Sequence, residues 1–400
     1  MPNKINNKIS PKGFEGSILT QNQEAPADVV KKKNVVENEI VLNAKFYHEI
    51  ILLIVKNAIK SKLTGNGLQI GDKNGMDVFL STNIVFDSAV FIYESLKYFE
   101  KNNKELHIKI IDSLSADDLK KIKDVRNNMH LYNKKGSYQA KATQIIEDRM
   151  EEFGFDLDEE FNQFKNDISF LSYLDKDKCM FIGCDYYIHH YTQKYDGNDF
   201  SNLAEIVSST LINIIKLSNK KVSLPSVKFK KFNFNISLND GKSGEVLKAD
   251  NIDEKTNFRI LLCLTVASWS YLLYFKVINS ETMFDNPKSR WVVLKNLAIK
   301  YDEIFDSIEN LMEYSLEKDK LNDLFKNSKV DFENKKYREL IQIIRNTVHY
   351  NNDDLLEDMD YYNSLKIKYG LTISDFKGIF LYIEENLKAL ICTLQYFTGN

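Results

Sequence analysis

Long stretches patterned at helical spacing alternate with short polar breaks along this chain. "FYHEIILLIVKNAI" (Phe46–Ile59) and "IVFDSAVFIYESLKYF" (Ile84–Phe99) place apolar residues three and four apart, the spacing that gives a helix one apolar face. No proline occurs between Pro26 and Pro225, and the intervening sequence is rich in Leu, Ile, Lys and Glu, so it predicts helices broken mainly at glycines. The most apolar run, "ILLCLTVASWSYLLYF" (Ile260–Phe275), is bounded by Arg259 and Lys276 and falls short of a bilayer span, so it predicts a buried core helix. From Pro225 to about Val246 the period changes. "VKFKKFNFNISL" alternates in part like a strand, and "DGKSGE" (Asp240–Glu245) reads as a hairpin turn. A phosphate-binding loop would need glycine where Ile236 stands.

The helical pattern occurs twice. Shifting the sequence by 219 residues places Arg126, Asn127 and His130 on Arg345, Asn346 and His349, and Phe86-Asp87-Ser88 on Phe305-Asp306-Ser307. The same shift places Glu94 on Glu313, Ile122 on Ile341, Asp156 on Asp375 and Phe161 on Phe380. A domain-sized unit repeated once is an internal duplication rather than a solenoid. The expected fold is therefore mainly α: two duplicated helical bundles with a short β excursion between them. The organisation is a flexible arm over 1–36, rich in polar residues and holding Pro2, Pro11 and Pro26, then a helical domain over 37–218. A linker with a β-hairpin follows over 219–246, and a second helical domain covers 247–400. The first domain carries a tail from Gly183 to Lys221 with no counterpart in the second.

Composition changes this picture little. The 400 residues are 43% hydrophobic and carry a formal charge of -3, which supports sizeable cores and argues against an overall basic coat. Local basic runs remain, and Lys228, Lys230 and Lys231 interleave with Phe229 and Phe232 in a pattern that can track an RNA backbone and stack bases. The spacing of Cys179, Cys184, Cys263 and Cys392 suggests no disulfide framework and fits a reducing, cytoplasmic compartment. Cys179, Cys184, His189 and His190 are ligand types that zinc accepts, but steps of five leave one helical face, so no metal site is expected.

The chemistry lies in "VRNNMHLY" (Val125–Tyr132) and "IRNTVHYN" (Ile344–Asn351). On a helix, Arg and His four apart share one face. Arginine is a permanent planar cation suited to phosphate, and histidine exchanges a proton near neutral pH. Two of each could cleave RNA: one histidine takes the 2′-OH proton, another protonates the leaving 5′-oxygen, and the arginines stabilise the charged transition state. DNA lacks the nucleophile. Asn127 and Asn346 lie beside the arginines as supporting residues, and Glu94 and Glu313 are candidates to orient them.

These residues resemble HEPN domains, small all-helical bundles whose signature is an Arg, usually followed by Asn or another polar residue, and a His a few positions on. Members usually place four to six residues between Arg and His, and both copies here have three. The resemblance implies metal-independent endoribonuclease activity, without a cofactor, at a composite site of two paired units, with Arg126, His130, Arg345 and His349 catalytic. It also implies roles in abortive infection, toxin–antitoxin systems or CRISPR effectors, with RNA as substrate, an antitoxin, guide or other regulator as partner, and no membrane. If the motifs did not meet within one chain, a homodimer could still build the site. The alternative is a non-catalytic HEPN-fold module that binds RNA or protein, with the motif kept for packing.

Overall fold

The computed structural model describes residues 27–64, 75–131, 169–174, 180–184, 197–218, 220–223, 239–242, 254–278, 286–315, 317–351, 354–356 and 359–394. These are mainly helical. Helices α1 (Ala27–Thr64), α2 (Gly75–Asn102), α3 (Lys104–Ile111), α4 (Ala116–Leu131) and α5 (Gly197–Leu217) form a first bundle. Helices α6 (Glu254–Tyr271, continued as a π-helical turn over Leu272–Val277), α7 (Pro287–Tyr314), α8 (Lys318–Lys326), α9 (Lys335–Asn346), α10 (Tyr361–Lys368) and α11 (Ile373–Leu394) form a second.

Local chemistry sets many of the helix starts. Asn286 accepts bonds from the backbone N–H of Lys288 (2.9 Å) and Ser289 (3.3 Å) just ahead of Pro287, which begins α7 with its φ already helical. Ser115 and Asp118 exchange side-chain-to-backbone bonds before α4 (2.9 and 3.1 Å), and Thr372 and Asp375 do the same before α11 (2.8 and 3.3 Å). Asn334 caps α9 through the Tyr337 N–H at 3.3 Å.

The packing pattern recurs. In the first bundle α1 packs on α2 and α5, α2 also on α3, α4 and α5, and α4 on α5. In the second, α6 packs on α7 and α11, α7 also on α8, α9 and α11, and α9 on α11. The 219-residue shift carries the start of α4 at Ala116 onto the start of α9 at Lys335. Phe86 and Phe305 are both core residues, as are Ile122 and Ile341. Ser88 and Ser307 both donate back to the carbonyl four residues earlier.

Asp156 and Phe161 lie outside the described residues. By packing, α5 stands to the first bundle as α11 does to the second, so the tail after Gly183 supplies a helix of that bundle. Its apolar face, with Leu203, Val207, Leu211 and Ile214 fully buried, covers α1 and α2 as α11 covers α6 and α7.

Three other expectations change. Helix α1 starts at Ala27, inside the stretch read as an arm, because Val36, Ile40 and Val41 are already in the core. Residues 1–26 lie outside the described residues. The β excursion is not a hairpin of its own: β3 (Asn239–Lys242) contains the Asp240-Gly241-Lys242 read as a turn and pairs antiparallel with β1 (Ser169–Leu174). β1 also pairs with β2 (Met180–Cys184), giving the order β2-β1-β3, and β2 packs on α6 and α11 of the second bundle. A two-stranded ribbon is marginal alone, and only tertiary folding supplies the third strand. Finally, Cys392 is disulfide-bonded, while Cys263 is buried in the second core. Proximity in space, which residue spacing cannot report, made that pairing.

No helix among the described residues is long and apolar enough to cross a membrane. The run from Ile260 to Phe275 instead fills the second core, with Leu264, Trp269 and Leu273 fully buried.

Candidate functional site

The bundles meet along α7, whose buried face is polar where it crosses α1 and α2. Glu39 of α1 accepts from Trp291 Nε1 at 2.8 Å and pairs with Lys295 Nζ at 3.4 Å. Tyr47 donates to Asn296 Oδ1 at 3.1 Å, and Asp87 of α2 pairs with Lys300. Burial of this ladder is nearly complete, so each charge depends on its partner.

Two turns beyond Asp87 on α2, roughly 10 Å along the axis, stands Glu94. Its carboxylate is shared by both bundles. Oε1 accepts from Arg126 Nε of α4 at 3.1 Å, and Oε2 lies 3.5 Å from Nδ1 of His349, which comes from the second bundle. The carboxylate is only 5% exposed while the His349 side chain is 46% exposed, so a buried anion anchors an imidazole that faces solvent. Burial pushes the Glu94 carboxyl up, but the His349 hydrogen bond and the Arg126 and His349 charges more than offset this and hold it down to about 2. The Tyr93 ring lies under the Arg126 guanidinium (5.3 Å to the centroid), with Lys97 5.7 Å from the same ring.

The two motifs are held differently. Helix α4 continues through His130 to Leu131. In the second motif the α-helix stops at Asn346, a 3₁₀ turn carries Thr347–His349, and Tyr350 follows with φ 51 and ψ 43, a left-handed backbone rare for a bulky residue. The Tyr350 ring is buried, 6.0 Å from the Tyr98 ring and 4.4 Å from Lys295 Nζ, and this packing holds the strained turn.

Arg345 pairs with Asp302 of α7, Nε to Oδ2 at 3.3 Å, and donates to Asn346 Oδ1 at 3.3 Å. Burial raises the Asp302 carboxyl, and Arg345 and Arg338 offset only part of that. Glu313, expected to orient Arg345 as the repeat partner of Glu94, is exposed; Asp302 does that work because it lies on the buried side of α7. Beside Asp302, burial pushes the Glu303 carboxyl up to about 7 despite the nearby charges of Lys300 and Arg345.

Of the predicted residues, the structure thus brings Glu94, Arg126 and His349 together, with Arg345 and Asn346 on the same α9 end as His349. The side chains of Asn127 and His130, and all of Lys228, Lys230 and Lys231, lie outside the described residues. So do Cys179, His189 and His190, and no group of metal-ligating side chains occurs among the described residues. Sequence reading missed Asp302, Tyr93 and the Asp87–Lys300 pair. Asp87 and Tyr93 lie within a turn or two of Glu94, but Lys300 and Arg126, which they meet, come from other helices.

No family model matches this chain, and neither a curated protein nor a solved structure matches it.

Proposed function

We propose that the chain is a tandem HEPN-like endoribonuclease that cleaves RNA without a metal, its composite site combining Arg126 and His130 of one bundle with Arg345 and His349 of the other. One observation carries this reading: an arginine of the first motif and a histidine of the second meet on a single buried carboxylate, Glu94. A motif kept only for packing has no need to leave its histidine half exposed beside a guanidinium held in place by an anion. In the reaction a 2′-OH attacks the adjacent phosphorus, the 5′-oxygen leaves, and a 2′,3′-cyclic phosphate remains. The guanidiniums stabilise charge on the equatorial oxygens. Bacterial antiphage defence or a toxin–antitoxin pair is the setting we propose, since a nuclease of this kind needs an inhibitor or a trigger.

The test is incubation of mixed RNAs in EDTA with wild type and with His130→Ala plus His349→Ala. Cleavage by wild type, cyclic-phosphate ends, inert DNA and loss in the double variant are expected. Cleavage that survives the double change refutes the assignment, and wild-type protein that binds RNA without cutting it favours a non-catalytic module.

A further inference from the structure

The repeat suggests two equivalent histidines, but the backbone that carries them and the carboxylates beside the two arginines are not equivalent. Glu94 presents one oxygen to the arginine of its own bundle and the other to the histidine of the opposite bundle. Among the described residues of the second bundle the arrangement differs: the residue at the matching position, Glu313, is exposed, and the carboxylate beside Arg345 is Asp302. The backbone differs too, a continuous α-helix at His130 and a 3₁₀ turn closed by left-handed Tyr350 at His349.

From this geometry we infer that Glu94 is a positioning residue acting across the bundle interface, which fixes the His349 tautomer and makes His349 the proton acceptor of the composite site. The inference rests on the ribonuclease reading above. A neutral imidazole carries one N–H, and a carboxylate at Nδ1 keeps it there, leaving the lone pair on Nε2. Because Nδ1 faces the buried Glu94 and the ring is half exposed, Nε2 is the nitrogen left for substrate. An acid that orients a base histidine in this way is a recurrent arrangement, and its hydrogen bond shortens when substrate binds.

The step balances. Nε2 takes the proton of the 2′-OH, the O2′–P bond forms as the P–O5′ bond breaks, and the departing 5′-oxygen takes a proton from His130. His349, now imidazolium against the Glu94 carboxylate, returns its proton to solvent. Arg126, held by the same carboxylate, is thereby placed beside the reacting phosphate. Correct docking of the bundles and a competent base are therefore a single event.

Two measurements test this. The first uses an RNA in which sulfur replaces the scissile 5′-oxygen, a leaving group that needs no proton. On it His130→Ala should recover most of its lost rate, while His349→Ala and Glu94→Gln should not. Glu94→Gln should lower kcat on ordinary RNA on the order of 10²-fold with KM little changed. Rescue of His349→Ala by sulfur makes it the acid and overturns the inference. The second measurement needs no activity. Imidazole ¹⁵N shifts should report the Nδ1–H form of His349 in wild type and a return toward the Nε2–H form favoured by free histidine in Glu94→Gln. Unchanged shifts overturn the role of Glu94. If wild type cuts no RNA, the ribonuclease reading and the base role fall together, and the spectrum alone decides whether Glu94 holds the His349 tautomer.

Discussion

Acid should loosen the bundle interface through Glu94, and the structure sets the size of the effect. An unfolded glutamate titrates at 4.5, and the folded carboxyl is held down to about 2 by His349 and Arg126 in spite of its burial. Because the folded value is the lower one, the native state favours the ionised form. Its contribution is complete above pH 4.5 and vanishes as pH falls through 2. A difference of this size corresponds to ~3 kcal/mol just above pH 4.5, at 1.36 kcal/mol per unit. Glu94→Gln keeps the shape and removes the charge, so the variant should be ~3 kcal/mol less stable than wild type at pH 5, with the gap closing toward pH 2. Urea unfolding followed by tryptophan fluorescence suits the question, because Trp291 donates to Glu39 across the same interface. A gap of equal size at pH 5 and pH 2.5 would show that the loss is one of packing, and the electrostatic account of Glu94 would be wrong.

The rest of the interface makes further predictions. Glu39→Ala leaves Lys295 buried without its anion and should cost about 3–5 kcal/mol in urea unfolding, whereas Glu39→Leu combined with Lys295→Met should recover most of that. A double variant as unstable as the single one sinks the ion-pair explanation. Glu303 titrates near 7 when folded against 4.5 unfolded, so wild-type stability should fall as pH rises from 4.5 to 7. Glu303→Gln should remove up to ~3 kcal/mol of that decline and be the more stable protein at pH 8, which parallel thermal melts at pH 5 and pH 8 can check. At Tyr350, Gly and Ala both delete the buried ring, but only Gly accepts a φ of 51 without strain. Tyr350→Gly should therefore melt above Tyr350→Ala by ~1 kcal/mol, the reverse of the usual order.

Much of the fold can be read from local sequence. The apolar spacing around Phe46–Ile59 and Ile84–Phe99 is a short-range signal that survives folding, and the 219-residue shift carries the start of one motif helix onto the start of the other. The start of α1 is not legible because Lys31–Lys33 continue the polar composition of the arm while Val35 and Val36, close by along the chain, pack on the core. The strand at 239–242 was misread because its ladder partner is 169–174. For the site, Arg126, Arg345, His349 and Glu94 were legible as residue types at repeated spacing. Asp302 was not, since the repeat pointed to Glu313, and only the buried side of α7 selects between the two carboxylates.

The sequence by itself determined that this chain is mainly helical and that an Arg-Asn-x-x-His cluster occurs twice, because helical period and residue identity are written locally. Tertiary structure decided that α5 packs on α1 and α2 and completes the first bundle. It also decided that α7 carries a buried polar ladder and that Glu94 grips Arg126 with one oxygen and His349 with the other. Those outcomes depend on which charges lose water together when two bundles dock. Desolvation makes each buried charge seek a partner, and the partner is chosen by geometry between helices remote in sequence.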